Sequence, residues 1–174
     1  MAKRNRHPVW DVYDEYRTAL YNVKAHTTRI HRIRKVSKTI DIALAVLTPS
    51  SAIAGFFLLN TPAGKVVWNT LITVASLLAV SKPLLKLDEQ KAQLVRSLSG
   101  YTQLSHDLED LTMGIRRKRR FDDELYAVFE RIRRKKGSLY KRTALFELSK
   151  KKQKELYDEV IRQQPTSRFF VPEE

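Results

Sequence analysis

The sequence predicts an all-α protein built as a two-helix transmembrane hairpin, with long N- and C-terminal cytoplasmic helices forming a helical bundle. Three observations predict it. Only five glycines interrupt 174 residues and no β-type alternation of useful length occurs, which favours long helices. The apolar residues concentrate between Ile42 and Leu85, in two runs free of charge (42–64 and 66–81). Elsewhere Lys, Arg, Asp and Glu dominate a chain of net charge +14, with apolar residues returning at helical spacing.

The first helix is expected over residues 8–38. Pro8 suits a first helical position, where a missing N–H leaves nothing unpaired. Val9, Tyr13, Tyr16, Leu20, Val23, Thr27 and Ile30 then advance by alternating steps of four and three, the mark of a helix packing along one seam. Its last turns carry Arg29, Arg32, Arg34, Lys35 and Lys38.

Residues 42–59, IALAVLTPSSAIAGFFLL, would rise about 27 Å as a helix, against a hydrocarbon thickness of about 30 Å. The polar turn NTPAGK leads into VVWNTLITVASLLAVS (66–81), which reaches Leu85 if Lys82 extends its ammonium to the interface. Helices at the centre of a small soluble bundle keep a charged face, and these two runs have none. Ten Lys or Arg precede the hairpin, twenty-two follow from Lys82 onward, and the turn holds only Lys65. The positive-inside rule then places both termini in the cytoplasm.

The helical pattern resumes at Leu84 and runs through Leu87, Leu94, Leu98, Tyr101, Leu104, Leu108, Leu111 and Ile115, so this helix is expected to continue directly from the membrane. Gly114 and the run RRKRR (116–120) mark a turn. Asp122 or Asp123 caps the next helix, which shows Phe121, Leu125, Val128, Phe129 and Ile132 on one face. RRKK at 133–136 charges that helix's end favourably, Gly137 and Ser138 break it, and a last helix follows over about 139–164. The tail PTSRFFVPEE is expected to be extended. The resulting division is an N-terminal amphipathic helix (1–41), the hairpin (42–85), a helical region (86–164) and the tail (165–174).

Catalytic chemistry is not expected. His7, His26, His31 and His106 fall at no metal-ligand spacing, no glycine-rich phosphate loop exists, and Ser50 and Ser51 have no base nearby in sequence. The acidic groups Asp107, Glu109, Asp110 and Asp122, Asp123, Glu124 read as helix surface and N-caps. The absence of cysteine excludes disulfides and thiolate metal sites. No metal and no cofactor is therefore expected.

The hairpin carries the better candidates. Pro49 removes a backbone hydrogen bond in mid-segment, and Thr48, Ser50 and Ser51 are placed to compensate. Asn69, Thr73 and Ser76 advance by four and three and so share a face, which either lines a pore or bonds across to another helix. Two spans cannot enclose a channel, so a pore needs several copies, and the heptad seams provide surfaces for a homo-oligomer. Arg29, Arg32, Arg34 and Lys35 are candidates for holding anionic lipid, and Arg116, Arg117, Arg119 and Arg120 for a phosphorylated ligand. A membrane-anchored scaffold or nucleic-acid-binding protein using the basic helices is the alternative reading.

The helix VWDVYDEYRTAL, the basic TTRIHRIRKVSK, the two apolar runs and the Leu-rich KLDEQKAQLVRSLSGYTQLSHDLEDL together resemble the SLATT family over about residues 9–163. These are two-transmembrane effector domains associated with nucleotide-second-messenger synthetases in bacterial defence loci. The resemblance implies an inner-membrane protein that oligomerises and permeabilises the bilayer during phage infection. Its trigger would be a partner nucleotidyltransferase or reverse-transcriptase system, or a nucleotide ligand.

Overall fold

The computed structural model describes residues 7–58, 62–139 and 147–172. It is all-helical, with no strand among the described residues. The helices are α1 (Val9–Leu58), α2 (Pro62–Leu84), α3 (Leu87–Lys118), α4 (Asp123–Leu139) and α5 (Lys150–Gln163), followed by a 3₁₀ turn at Thr166–Arg168.

Several boundaries differ from those expected. Residues 8–38 and 42–58 form one helix of 50 residues, about 75 Å long, with helical assignment unbroken through Pro49. No Gly, Asn or Pro stands between the basic run and Ile42 to stop it. Nor does α3 continue from α2: the chain breaks at Leu85–Lys86, where Lys86 takes a left-handed φ of 45°. Gln90 restarts the ladder, donating its N–H to the Lys86 carbonyl and its side-chain amide to that of Leu85.

Gly114 lies inside α3 rather than at a turn, and a Cβ there would make ordinary contact with Leu125 Cδ2 at 3.5 Å. The turn falls at Arg119, with φ 51°. Asp122 then caps α4, its carboxylate accepting from the Leu125 N–H at 3.1 Å. Gly137 and Ser138 do not break α4, which runs to Leu139. The last helix starts at Lys150 because Ser149 caps it, its hydroxyl accepting from the Lys152 N–H. Residues 140–146, where an earlier start was expected, lie outside the described residues.

The chain divides into two units, residues 1–29 with 93–174, and residues 30–92. In the first, Val9, Val12, Tyr13, Tyr16 and Ala19 of α1 share a core with Tyr101, Leu104, Leu108, Leu111 and Ile115 of α3 and Leu125, Phe129 and Ile132 of α4. Ala25 and Tyr21 belong to a smaller cluster with Leu148 and Leu156. The expected seam is met at Val9, Tyr13, Tyr16 and Ile30 and only partly at Leu20 and Val23. Val12, Ala19, Ala25 and His26 are also buried, while Thr27 is exposed and bonds back to the Val23 carbonyl. Ion pairs link the elements: Lys24–Glu159 at 2.8 Å, Lys136–Glu15 at 2.6 Å and Lys135–Asp107 at 3.1 Å.

The tail is not simply extended. Arg17 donates from Nε and Nη2 to the Gln164 carbonyl, at 3.0 and 2.7 Å, and its guanidinium lies over the Phe169 ring. Phe169, Phe170 and Val171 pack against the core and Pro172 is buried.

In the second unit, α2 keeps its apolar side chains outward. Val66, Leu77 and Val80 are 67%, 63% and 61% exposed, and Leu71, Ile72 and Val74 are exposed as well.

Candidate functional site

Among the described residues one helical stretch is long and apolar enough to cross a membrane, Pro62–Ser81. Its 20 residues span about 30 Å, the thickness of the hydrocarbon layer. All its peptide groups but the terminal ones bond internally, as a lipid environment demands. Lys65, near its start, is its one charged residue. The companion segment forms the end of α1, but the side chains of residues 46–58 lie outside those described. Thr48, Pro49, Ser50 and Ser51 fall there.

Asn69, Thr73 and Ser76 are exposed on α2. The Thr73 hydroxyl donates to the Asn69 carbonyl at 2.8 Å, and Thr70 and Ser81 bond back likewise to Val66 and Leu77. Such hydroxyls spend their donor on their own helix. The Asn69 amide makes no such bond and is the strongest polar group on that face.

The basic candidates separate into different environments. Arg29 is half-buried, with a buried Nε that has no hydrogen-bond partner. Arg32, Arg34 and Lys35 are exposed. At the end of α3, Arg120 Nε pairs with Asp122 at 3.1 Å and Lys118 bridges Asp122 and Glu124. The Leu125 N–H, helped by Lys118 and Arg120, holds the Asp122 carboxyl below its ordinary value. Part of the RRKRR run thus fastens the α3–α4 turn. Arg117 and Arg119 are exposed.

Arg116 lies elsewhere, in a cleft of about 170 Å³ that the sequence reading did not foresee. Tyr13 and Tyr16 of α1, Glu109 and Met113 of α3, and Arg168 and Phe170 of the tail also line it. Burial pushes both phenols above the ordinary tyrosine value, and the Glu109 carboxylate, which accepts from the Tyr16 hydroxyl, raises Tyr16 further. The aromatic pair Phe169–Phe170 in a polar tail was the available signal, since exposed neighbouring phenylalanines are unfavourable unless something covers them.

Among the described residues no three His, Asp or Glu side chains converge as a metal site would require. Fold and site together define an all-helical protein in which, among the described residues, one helix is able by length and composition to cross a membrane. No protein-family model, curated protein or solved structure matches this chain.

Proposed function

We propose that this protein is a bacterial inner-membrane effector of antiphage defence, which oligomerises and permeabilises the bilayer when a partner sensor or a nucleotide signal triggers it. One observation carries the membrane part: α2 presents exposed Val, Leu and Ile side chains along a stretch of membrane length whose one charge, Lys65, lies near its start. In water that surface costs about 25 cal/mol per Å², a penalty that lipid removes. The apolar end of α1 supplies the second span, and the charge distribution puts both termini in the cytoplasm. Asn69 and Thr73 line the pore or hold its helices together. The permeabilising role and its trigger follow from the SLATT resemblance.

The test is expression in bacteria with a potential-sensitive dye, alongside carbonate extraction of membranes. Carbonate-resistant protein with depolarisation on triggering is expected. Protein that inserts without any change in conductance would sink the effector role and leave a membrane anchor. Protein extracted by carbonate would sink the membrane reading itself.

A further inference from the structure

Residues 30–40 of α1 have two different faces. Ile30 and Ile33 are buried, and Ser37 and Ile40 half-buried. His31, Arg34, Lys35 and Lys38 are exposed. Their spacing of i, i+3, i+4 and i+7 sets them in one stripe, with the exposed Arg32 beside it. None of the five forms an ion pair with a described residue, and between Ile30 and Ile42 the only acid is Asp41. Like charges three and four residues apart repel, so the stripe weakens the isolated helix slightly. An external anion would offset that repulsion.

Position identifies the anion. From Lys38 the same helix reaches Ile42 within about 6 Å, and there the apolar run begins with an Ile that is 53% exposed. The stripe therefore ends where a hydrocarbon boundary would lie, at the level of lipid phosphates. Arg and Lys stems are long enough to reach along that boundary. A nucleic acid would match the charge but not the apolar surface that continues it.

We propose that the His31–Lys38 face binds the headgroups of anionic phospholipids at the membrane surface. This rests on the membrane reading of the preceding subsection. Each basic side chain near such a surface strengthens association about fivefold, and salt screens the effect over about 10 Å.

The experiment reconstitutes the full chain into bilayers of about 3:1 phosphatidylcholine to phosphatidylglycerol and measures its association with spin-labelled forms of both lipids. A preference for phosphatidylglycerol of at least about threefold is expected, falling with salt. Arg34→Gln/Lys35→Gln/Lys38→Gln should abolish it, while Arg34→Lys/Lys35→Arg keeps it. All three side chains are exposed, so helicity by circular dichroism should not change. Equal association with the two lipids, or a preference that survives the triple glutamine variant, overturns the proposal while leaving the membrane reading intact. Failure to incorporate into bilayers overturns both. Salt-sensitive binding to duplex DNA that the triple variant abolishes, without lipid preference, reassigns the face to nucleic acid.

Discussion

Tyr13 and Phe170, 157 residues apart, are joined by a hydrogen bond of 2.5 Å from the phenol to the backbone carbonyl. The Tyr13 ring also stacks on Phe169 with centroids 4.1 Å apart. The first turns of α1 thus hold the C-terminal tail, and the tail walls the cleft that contains Arg116. Tyr13→Phe should cost about 1 kcal/mol, the usual net value of one hydrogen bond. Tyr13→Ala should cost about 3–5 kcal/mol, because it also empties a core position. Urea unfolding of the protein in detergent, followed by fluorescence, checks both.

His26 is buried against Tyr101, with ring centroids 5.3 Å apart and no partner for Nδ1. Burial, with the neighbouring Arg29 charge, lowers its pKa below the ordinary histidine value of about 6.5. As pH falls through that value the unfolded chain takes up a proton that the folded chain refuses. This contribution is neutral at higher pH and destabilises progressively below about 6.5 until the folded pKa is reached. His26→Phe should flatten stability against pH in that window. An unchanged profile would rule out His26 as its source.

Gly100 and Gly137 should respond unequally to alanine. A Cβ at Gly100 would overlap the Leu139 side chain, whereas nothing lies within 4 Å of one at Gly137. Gly137→Ala should therefore stabilise by about 0.5–1 kcal/mol, the helix-propensity gain. Gly100→Ala should gain less, because Leu139 must move, and Gly100→Val should destabilise by about 1–3 kcal/mol. Adding Leu139→Ala to Gly100→Val should recover part of that loss, as a double-mutant cycle would show.

On α2, Ile72→Arg should oppose insertion by about 2.5–3.5 kcal/mol and shift the protein out of the carbonate-resistant fraction. Asn69→Leu should leave insertion intact and reduce permeabilisation. Thr73→Val should have the smaller effect on permeabilisation, since the hydroxyl it removes is already bonded within the helix. Dye-release assays on reconstituted vesicles distinguish the two.

The α3–α4 hairpin was legible because its signals are local: Asp122 as a cap, and Leu104, Leu108, Leu111, Leu125 and Phe129 at helical spacing. The helix ends at 38, 114 and 137 were misplaced for one reason. Glycine and basic runs weaken a helix by at most about 1 kcal/mol each, too little by itself to end one. The cleft was not legible, since Tyr13, Glu109, Arg116 and Arg168 meet only after the tail has folded back.

By itself the sequence determined the helical class, the apolar stretches and the distribution of charge, because these depend on residue type and on spacing within a turn or two. Only the tertiary structure decided that α1 is one helix of 50 residues, that Lys86 breaks the chain after α2, and that Tyr13 and Arg17 hold the tail. The last of these depends on which groups at large sequence separation meet and exclude water together, and spacing along the chain does not encode that.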